Sequence, residues 1–341
     1  MSNITMYKTI ASEPRAPYFY SKLSPAKPTV VFDSYWKFAA ERQNVFFRRY
    51  SKKPWPWTND PVIGKYKFTN VYRVTDRVSQ YLVKEVIYNE KFSSETNEVF
   101  FRIMLFKLFN KIETWKKLLS EIKEISYKNF KVNAYDKVLS KIMQSGQAIY
   151  SAAYIMPSGK SFFGHEKKHT NHLWLIDKMM RENLPKKIED CRTMQKGFEL
   201  LRSYPSLGDF LAYQYIIDIN YSNITAFSES EFVMPGPGAK SGISKCFSDL
   251  GGLSEVEIIK LMMDRQEIEF KRLDLEFERI GDRPLQLIDC QNIFCETDKY
   301  ARIMHPDIRG KGDRMRIKQV FASHGGPEEL YLPPKWRTKI K

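Results

Sequence analysis

Apolar side chains recur at the three- and four-residue spacing of amphipathic helices along most of the chain. The widest apolar stripe, over 97–125, includes Phe100, Leu105 and Trp115 and is broad enough for a buried helix. Asp33 suits the N-cap of the first helix, and Ser254 with Glu257 forms a capping-box pattern. We therefore predict helices at 33–50, 70–88, 97–125, 133–149, 167–182, 192–202, from 208 onward, 254–277 and 286–298.

Strand signals are few, and 152–156 is the only clear candidate. A proline-dotted polar segment precedes the first helix, and no internal repeat is visible. The predicted fold is mostly α, with one helical domain at 31–301, an extended N-terminal arm at 1–30 and a basic C-terminal tail at 302–341. Without an 18-residue apolar run or a secretory signal, we expect no membrane partner and a cytoplasmic location, in the host if the protein is viral.

A short turn near the middle of the chain predicts a helix-hairpin-helix. The sequence Tyr204-Pro205-Ser206-Leu207-Gly208 leads directly into an apolar helix, whose first backbone N–H groups lack intrahelical acceptors. Such amides bind phosphate without reading sequence, so Ser206 and Gly208 are candidate DNA-binding residues. The alternative is an ordinary tight connection between two core helices.

Charge also favours a polyanionic partner. Lys and Arg outnumber Asp and Glu by 55 to 40, giving a net charge of +15, and nucleic acid is the commonest such partner. The tail carries ten basic against four acidic residues, and its glycines suit a flexible arm along a phosphate backbone. The candidate contacts there are Arg309, Lys311, Arg314 and Arg316. A generally basic protein is the alternative.

Two familiar motifs are incomplete. Ser158-Gly159-Lys160-Ser161 resembles the end of a P-loop, but Tyr154 stands where that loop needs a glycine, which argues against a kinase. His165, His169 and His172 have a spacing that can bind metal, but charged neighbours favour a solvated or phosphate-facing surface. The four cysteines form no C-x-x-C pair and are expected to be reduced thiols. We expect neither metal nor cofactor.

Three polar or glycine-rich segments are candidates for chemistry. The segment 235–242 reads as neither strand nor helix, and its glycines would let a backbone approach a ligand, although a structural turn is the alternative. The other two segments interleave arginine, carboxylate and aromatic residues. They are either buried ion-pair networks or a site for phosphate and proton transfer. Their members include Arg42, Asp60, Asn70, Arg73, Asp76, Arg77, Asp289, Glu296, Asp298, Lys299 and Tyr300.

Five ordered motifs together resemble one family. They begin at Asp33-Ser34-Tyr35-Trp36, Pro56-Trp57-Thr58, Lys67-Phe68-Thr69-Asn70, Pro235-Gly236-Pro237-Gly238-Ala239 and Phe294-Cys295-Glu296. The family is the α-glutamyl/putrescinyl thymine pyrophosphorylases, the amino acid:DNA transferases of bacteriophages. The sequence is also similar to the helical domain of 5-hydroxymethyluracil DNA kinases. The resemblance covers about 33–302, with Thr69 standing where a cysteine is expected.

This resemblance implies a helix-hairpin-helix, DNA-glycosylase-like helical domain. It implies that the substrates are double-stranded DNA containing a modified thymine and a free amino acid. The α-amine of the amino acid would replace the phosphate of 5-phosphomethyl-deoxyuridine on a base flipped out of the duplex. The incomplete P-loop fits such a transferase better than a kinase.

Roles for individual residues follow from that chemistry. The departing phosphate needs cations, and Arg42 and Arg73 are the first candidates, with Lys240 or Lys299 next. The amine needs a carboxylate base, for which Asp60, Asp218 and Glu296 are candidates. Arg77 is a candidate for the amino acid carboxylate, and the other expected substrate-binding residues are Asn70, Gly236, Gly238 and Tyr300.

Two rival functions remain open at this level. A glycosylase excising a modified base would need a carboxylate near the sugar, for which Glu229 or Glu231 could serve. A non-catalytic DNA-binding module would use both polar clusters only to hold the fold.

Overall fold

A computed structural model of the chain describes residues 26–312, 315–322 and 329–338. The described residues are mostly helical, as the apolar periodicity predicts. The first helices are α1 (Val30–Tyr50), α2 (Pro61–Lys65), α3 (Arg77–Tyr81), α4 (Thr96–Phe109), α5 (Ile112–Glu121), α6 (Val132–Gln144) and α7 (Lys160–Phe163). The later helices are α8 (Lys168–Arg181), α9 (Leu184–Glu189), α10 (Met194–Arg202), α11 (Asp209–Ile219), α12 (Pro237–Cys246), α13 (Glu255–Arg272) and α14 (Leu287–Met304).

These helices belong to two compact units. The first unit contains the described residues up to Asp76, Glu229–Leu330 and the residues from Arg337, and the second contains Arg77–Ser228 and Tyr331–Trp336. The predicted boundaries at 31 and 301 do not coincide with this division. Most of the predicted N-terminal arm lies outside the described residues.

In the first unit, α14 is the central helix and contacts α1, α2, α12 and α13. Aromatic side chains fill the space between them: the Tyr35 ring lies 4.6 Å from that of Phe294, and Trp36 lies 5.1 Å from Phe270. Strand β1 (Lys27–Pro28) pairs antiparallel with β2 (Phe247–Asp249) at the edge of this unit. The buried rings make α14 the support on which the other helices of the unit rest.

In the second unit, α4 is buried along its length from Glu98 to Phe109, which confirms the predicted buried stripe. The predicted helix over 97–125 is nevertheless two helices, because Asn110 adopts the left-handed conformation (φ 48°) and ends α4. The predicted helix over 70–88 is likewise interrupted. It consists of a 3₁₀ turn at Arg73–Thr75, then α3, then a π-helix at Leu82–Ile87.

Two other local predictions are wrong. The candidate strand at 152–156 forms no strand, and Tyr154 there has a positive φ of 55°. The segment 235–242 is not a loop, because α12 begins at Pro237, where proline suits the first turn. The capping box at Ser254 and Glu257 is confirmed at the start of α13.

The helices α12 and α14 approach closely because Gly238 and Gly242 lie on one face of α12. A Cβ on Gly238 would lie 2.3 Å from the Cys295 Sγ, and one on Gly242 would lie 2.0 Å from the Phe294 carbonyl oxygen. A flexible side chain can move aside, but helix backbone cannot. Gly242 therefore sets the spacing of the two helices.

Gly242→Ala should destabilise the protein by about 2 kcal/mol or more, because the added methyl group forces α12 away from the α14 backbone. Urea unfolding measures the change. Gly64→Ala is the matched control, since its Cβ meets only a Thr58 methyl group at 3.8 Å. Equal stability of the two variants would contradict this account of the contact.

Candidate active site

Arg42 on α1 is a buried cation with part of its guanidinium unused. The side chain is 4% exposed, and its Nε donates a 3.0 Å hydrogen bond to the Thr69 carbonyl oxygen, to which Nη2 also donates. The guanidinium lies 4.7 Å from the centre of the Phe38 ring. Among the described residues, buried Nη1 has no hydrogen-bond partner. A buried donor without an acceptor is costly, so Nη1 can gain by meeting an oxygen.

The side chain of Glu296 on α14 contacts the same residue, Thr69. Glu296 is 5% exposed; it accepts a 3.2 Å hydrogen bond from the Thr69 N–H and lies 2.5 Å from the Lys299 Nζ. The backbone of Thr69 therefore contacts Arg42 through its carbonyl oxygen and Glu296 through its N–H. Burial lowers the pKa of Arg42, and the charge of Glu296 acts against that shift. The two backbone groups of Thr69 thus hold a buried cation and a buried anion near each other.

Asp76 adds a second carboxylate with an unusual pKa. Its Oδ1 accepts a 2.8 Å hydrogen bond from the Asn70 N–H. Burial raises the pKa of Asp76 to about 6; the Asn70 N–H lowers it, the charge of Glu296 raises it, and the charge of Arg42 lowers it. We call Arg42, Thr69, Asp76, Glu296 and Lys299 the Arg42–Glu296 cluster. It combines two cations with a carboxylate that titrates near neutral pH.

Arg73, predicted beside Arg42, belongs to the first unit and is 2% exposed. Its backbone N–H donates a 2.9 Å hydrogen bond to the Asp289 Oδ1, and Asp289 also caps the start of α14. Burial raises the pKa of Asp289 to about 6, while the Arg73 N–H lowers it. Glu229, the glycosylase candidate, lies 2.9 Å from Arg283 and is buried, whereas Glu231 is exposed.

Asp60 and Tyr300 bond to each other. The Tyr300 hydroxyl donates a 2.6 Å hydrogen bond to the Asp60 Oδ2. The Oδ1 atom of Asp60 accepts the N–H groups of Val62 and Ile63 at 2.8 and 2.9 Å, which makes Asp60 the N-cap of α2. Both Asp60 oxygens thus have acceptor roles in the fold, and Tyr300 packs in the adjacent core.

Asp298, a member of a predicted ion-pair network or site, anchors an ion-pair network whose partners Ser241, Lys245 and Arg302 the sequence did not identify. It accepts a 2.8 Å hydrogen bond from the Ser241 Oγ, lies 3.0 Å from the Lys245 Nζ and also pairs with Arg302. Burial raises the pKa of Asp298, but the hydrogen bonds from Arg302, Ser241 and Lys245 outweigh burial and hold it below its ordinary value. Only the four-residue spacing of Asp298 and Arg302 could have signalled part of this network.

The predicted ligand-binding glycines have roles in packing. Gly236 is the N-cap residue of α12, and Gly238 lies against Cys295 on α14. Lys240 on α12 is exposed, and the charge of Lys240 helps to lower the pKa of Glu255.

The predicted hairpin lies in the second unit, where α10 and α11 are joined by a tight turn. The Leu207 N–H donates a 3.3 Å hydrogen bond to the Tyr204 carbonyl oxygen, and Ser206 adopts a positive φ of 68°. Exposed Gly208 is the N-cap of α11 and has no side chain to bind the first amides. The acidic Asp209 occupies the same helix end and pairs with Arg202.

Asp218 and Arg77 also belong to the second unit. Asp218 is 0% exposed and lies 3.1 Å from the Lys107 Nζ, which donates a 2.7 Å hydrogen bond to Asn110. The Arg77 guanidinium is exposed and lies 3.8 Å from a Glu113 oxygen. These two predicted residues therefore do not belong to the unit that contains the Arg42–Glu296 cluster.

The described part of the tail makes hydrogen bonds and ion pairs with α12, α13 and α14. Lys311 donates its N–H to the Ser244 Oγ at 3.0 Å and its Nζ to Glu255 at 2.9 Å. The Arg316 carbonyl accepts a 3.1 Å hydrogen bond from Arg302, and the Arg309 Nη1 contacts Met315. The remaining predicted contact, Arg314, lies outside the described residues.

The predicted histidine surface is wrong for two of its three members. His169 and His172 are 2% and 0% exposed, and His172 bonds to the Tyr150 hydroxyl and the Pro157 carbonyl, each at 2.8 Å. Burial lowers the pKa of His172 to about 4, so its ring is neutral at pH 7. Within the described ranges, no three His, Cys, Asp or Glu side chains are grouped to hold a metal ion, and no helix has the length and apolarity to cross a membrane.

Asp76→Asn should change how stability depends on pH. The folded-state pKa of Asp76, about 6, exceeds the ordinary value of 3.8, so the carboxyl group favours folding below pH 4 and loses that contribution as the pH rises through 6. The variant lacks this loss. Between pH 4 and pH 8 its free energy of unfolding should therefore rise by about 1–3 kcal/mol relative to that of wild type. Urea unfolding at both pH values measures it. Asp249→Asn, at an exposed carboxyl whose pKa is lowered, should not gain; a matching gain there would contradict the assignment.

Residues 29–310 match the family model described as "5-hmdU DNA kinase, helical domain". The chain is also 27% identical to a protein named 5-hmdU DNA kinase from Bacillus phage SP10, over 93% of this chain and 52% of the relative. The chain therefore spans about half the length of that relative. No solved structure matches the chain. The predicted resemblance to these phage DNA-modification proteins is confirmed, and the chain belongs to the family of 5-hmdU DNA kinase helical domains.

Proposed function

We propose that this chain acts on a modified thymine in phage DNA, as an enzyme of thymidine hypermodification. Two observations support the proposal: the family match over 29–310, and the net charge of +15, which suits a polyanionic partner. The related phage protein is named for 5-hmdU in DNA. The substrate of this chain would be the same kind of base, carrying a substituent on its 5-methyl carbon.

The reaction that we propose is transfer of an amino acid to that carbon. The amine nitrogen bonds to the exocyclic methylene carbon, and the bond from that carbon to the phosphate oxygen breaks with its electron pair on the phosphate. The proton of the amine moves to a carboxylate. Charge grows on the leaving phosphate, so cations that meet it in a water-poor site accelerate the step.

The buried Nη1 of Arg42 is the observation that carries this proposal. It is a cationic donor lacking a partner among the described residues, and it belongs to the cluster that includes the Lys299 ammonium. We assign Arg42 and Lys299 to the phosphate, since guanidinium and ammonium groups both bind phosphate oxygens. We assign proton acceptance to Glu296 or Asp76, whose pKa of about 6 suits a general base near neutral pH.

The other predicted residues receive supporting roles. Asp60 bonds to α2 and Tyr300, so we no longer favour it as the base. We keep Arg73, Asn70 and Lys240 as candidates for positioning substrate, and we assign no role at this site to Asp218 and Arg77, which belong to the second unit. We further propose that α10, the turn and α11 form a helix-hairpin-helix of the glycosylase type, and that the Gly208 amides bind DNA phosphate while the base is flipped.

A second candidate is a module that binds DNA and presents the modified base to a phosphotransferase. It is favoured by the family match, which is to the helical domain of kinases. The two candidates differ in product. DNA containing phosphomethyl-deoxyuridine, incubated with pooled amino acids and digested for nucleoside mass spectrometry, gives an aminoacyl nucleoside only with a transferase. Alkali-labile abasic sites would instead indicate a glycosylase, and binding without any product would indicate the module.

Glu296→Gln should reduce the rate of product formation about 100-fold or more, because a neutral amide cannot accept the proton or balance Arg42. DNA affinity should stay near the wild-type value, since Glu296 is buried and bears the wrong charge for phosphate. Exposed Glu276→Gln is the matched control. Equal loss of affinity and turnover would mean that Glu296 only holds the fold.

Arg309→Ala combined with Lys311→Ala should weaken DNA binding and reduce the magnitude of the slope of log affinity against log salt by about 1 to 2. The reason is that each lost phosphate contact lowers the number of counterions released on binding by about 0.9. Fluorescence anisotropy at several salt concentrations measures the slope. Lys141→Ala, a change at an exposed lysine paired with Glu121, should leave it unchanged. An unaltered slope in the double variant would remove the tail from the DNA contact.

A further inference from the structure

An exposed aromatic surface lies at the end of α1, outside the Arg42–Glu296 cluster. Two segments form it: the residues that follow α1, and a segment of the tail. The tail segment pairs with the residues at the end of α2 and just after it. The Lys67 N–H donates a 3.0 Å hydrogen bond to the Gln319 carbonyl oxygen, and the Phe321 N–H donates a 3.0 Å hydrogen bond to the Lys65 carbonyl oxygen. These antiparallel bonds fix the Phe321 ring beside the tryptophans that follow α1.

Three rings make up this surface, which we call the Trp55 platform (Trp55, Trp57 and Phe321). The rings of Trp55 and Phe321 are nearly parallel, at 5° with centres 6.2 Å apart, and Trp57 stands edge-on to both. The Arg49 guanidinium lies 5.2 Å from the Trp57 ring and 5.6 Å from the Phe321 ring. Trp55 is 56% exposed, so a large, fixed ring faces outward among the described residues.

The surroundings of the platform are cationic. Exposed lysines precede Trp55 in the chain and flank both paired segments: Lys52, Lys53, Lys65, Lys67 and Lys318. None of the five forms an ion pair within the described part of the chain, although many other lysines do. Unpaired lysines around exposed aromatic rings are the arrangement by which proteins stack bases and neutralise the phosphates between them.

We propose that the Trp55 platform binds an unpaired nucleobase of the DNA strand, with the lysines on the neighbouring phosphates. This inference rests on DNA being the partner and deepens the proposed function. Arg49 follows Arg42 by seven residues on α1, about 10 Å along the helix. The platform and the cluster thus both belong to the first unit and lie at different points along α1. The platform would hold a nucleotide next to the modified one and keep the strand open there.

The test uses the full chain and an unmodified oligothymidylate of 15 nucleotides, with tryptophan fluorescence quenching and anisotropy as readouts. Trp55→Ala should weaken binding about tenfold, the effect of losing one stacked base, and Trp55→Phe should restore most of the loss. Phe162→Ala is the matched control, because Phe162 is equally exposed at 56% and belongs to the second unit. Its affinity should equal that of wild type.

Wild-type affinity in Trp55→Ala would overturn the proposal. The absence of quenching on addition of the strand would overturn it as well, and this is the result expected if another segment of this chain covers the ring. Turnover on modified duplex is measured separately. Trp55-dependent binding without any product would support the platform and refute the proposed reaction. Product formation with Trp55-independent binding would support the reaction and refute the platform.

Discussion

The backbone contact between α12 and α14 is the constraint on which the first unit depends. Gly242 brings α12 against the Phe294 carbonyl, closer than any side chain would allow. The same helix α14 carries Glu296 and Lys299 toward the Thr69 peptide, and Asp298 toward Ser241 and Lys245. The position of α14 therefore determines both the ion-pair network that stabilises the unit and the geometry of the candidate site.

The Arg42–Glu296 cluster joins a buried cation that has an unused donor to buried carboxyl groups. Asp298 and Asp289 have their oxygens engaged by several donors, which is the usual way for a buried carboxylate to be tolerated. In the cluster, the Arg42 Nη1 finds no acceptor among the described residues. Burial raises the pKa of Asp76 to about 6, as it does for Asp289. Incomplete compensation of this kind is costly for a fold and is typical of sites that meet a ligand.

Local sequence signals predicted two features of the local structure correctly. The capping box before α13 and the apolar stripe of α4 needed no information from distant residues. The glycine- and proline-rich segment at 235–242 was wrongly predicted to be non-helical, because its glycines serve contact with a helix some 50 residues later. The pKa of Asp76 was equally hidden, because it depends on burial by the fold and not on neighbouring residues in the chain.

The site was predicted only in part, because it too depends on contacts between residues far apart in the chain. Arg42, Glu296 and Lys299 were selected from the sequence. In the structure Arg42 and Glu296 both bond to the Thr69 backbone, and Lys299 pairs with Glu296. The division into two units was not visible in the apolar pattern, so Asp218 and Arg77 were grouped with residues of the other unit.

The most direct test is a crystal structure of the chain bound to a DNA duplex that contains one 5-phosphomethyl-deoxyuridine. The account predicts the modified base outside the stack, with its phosphate oxygens within hydrogen-bonding distance of the Arg42 Nη1 or the Lys299 Nζ. A modified base that remains paired, or whose phosphate meets neither residue, would contradict it.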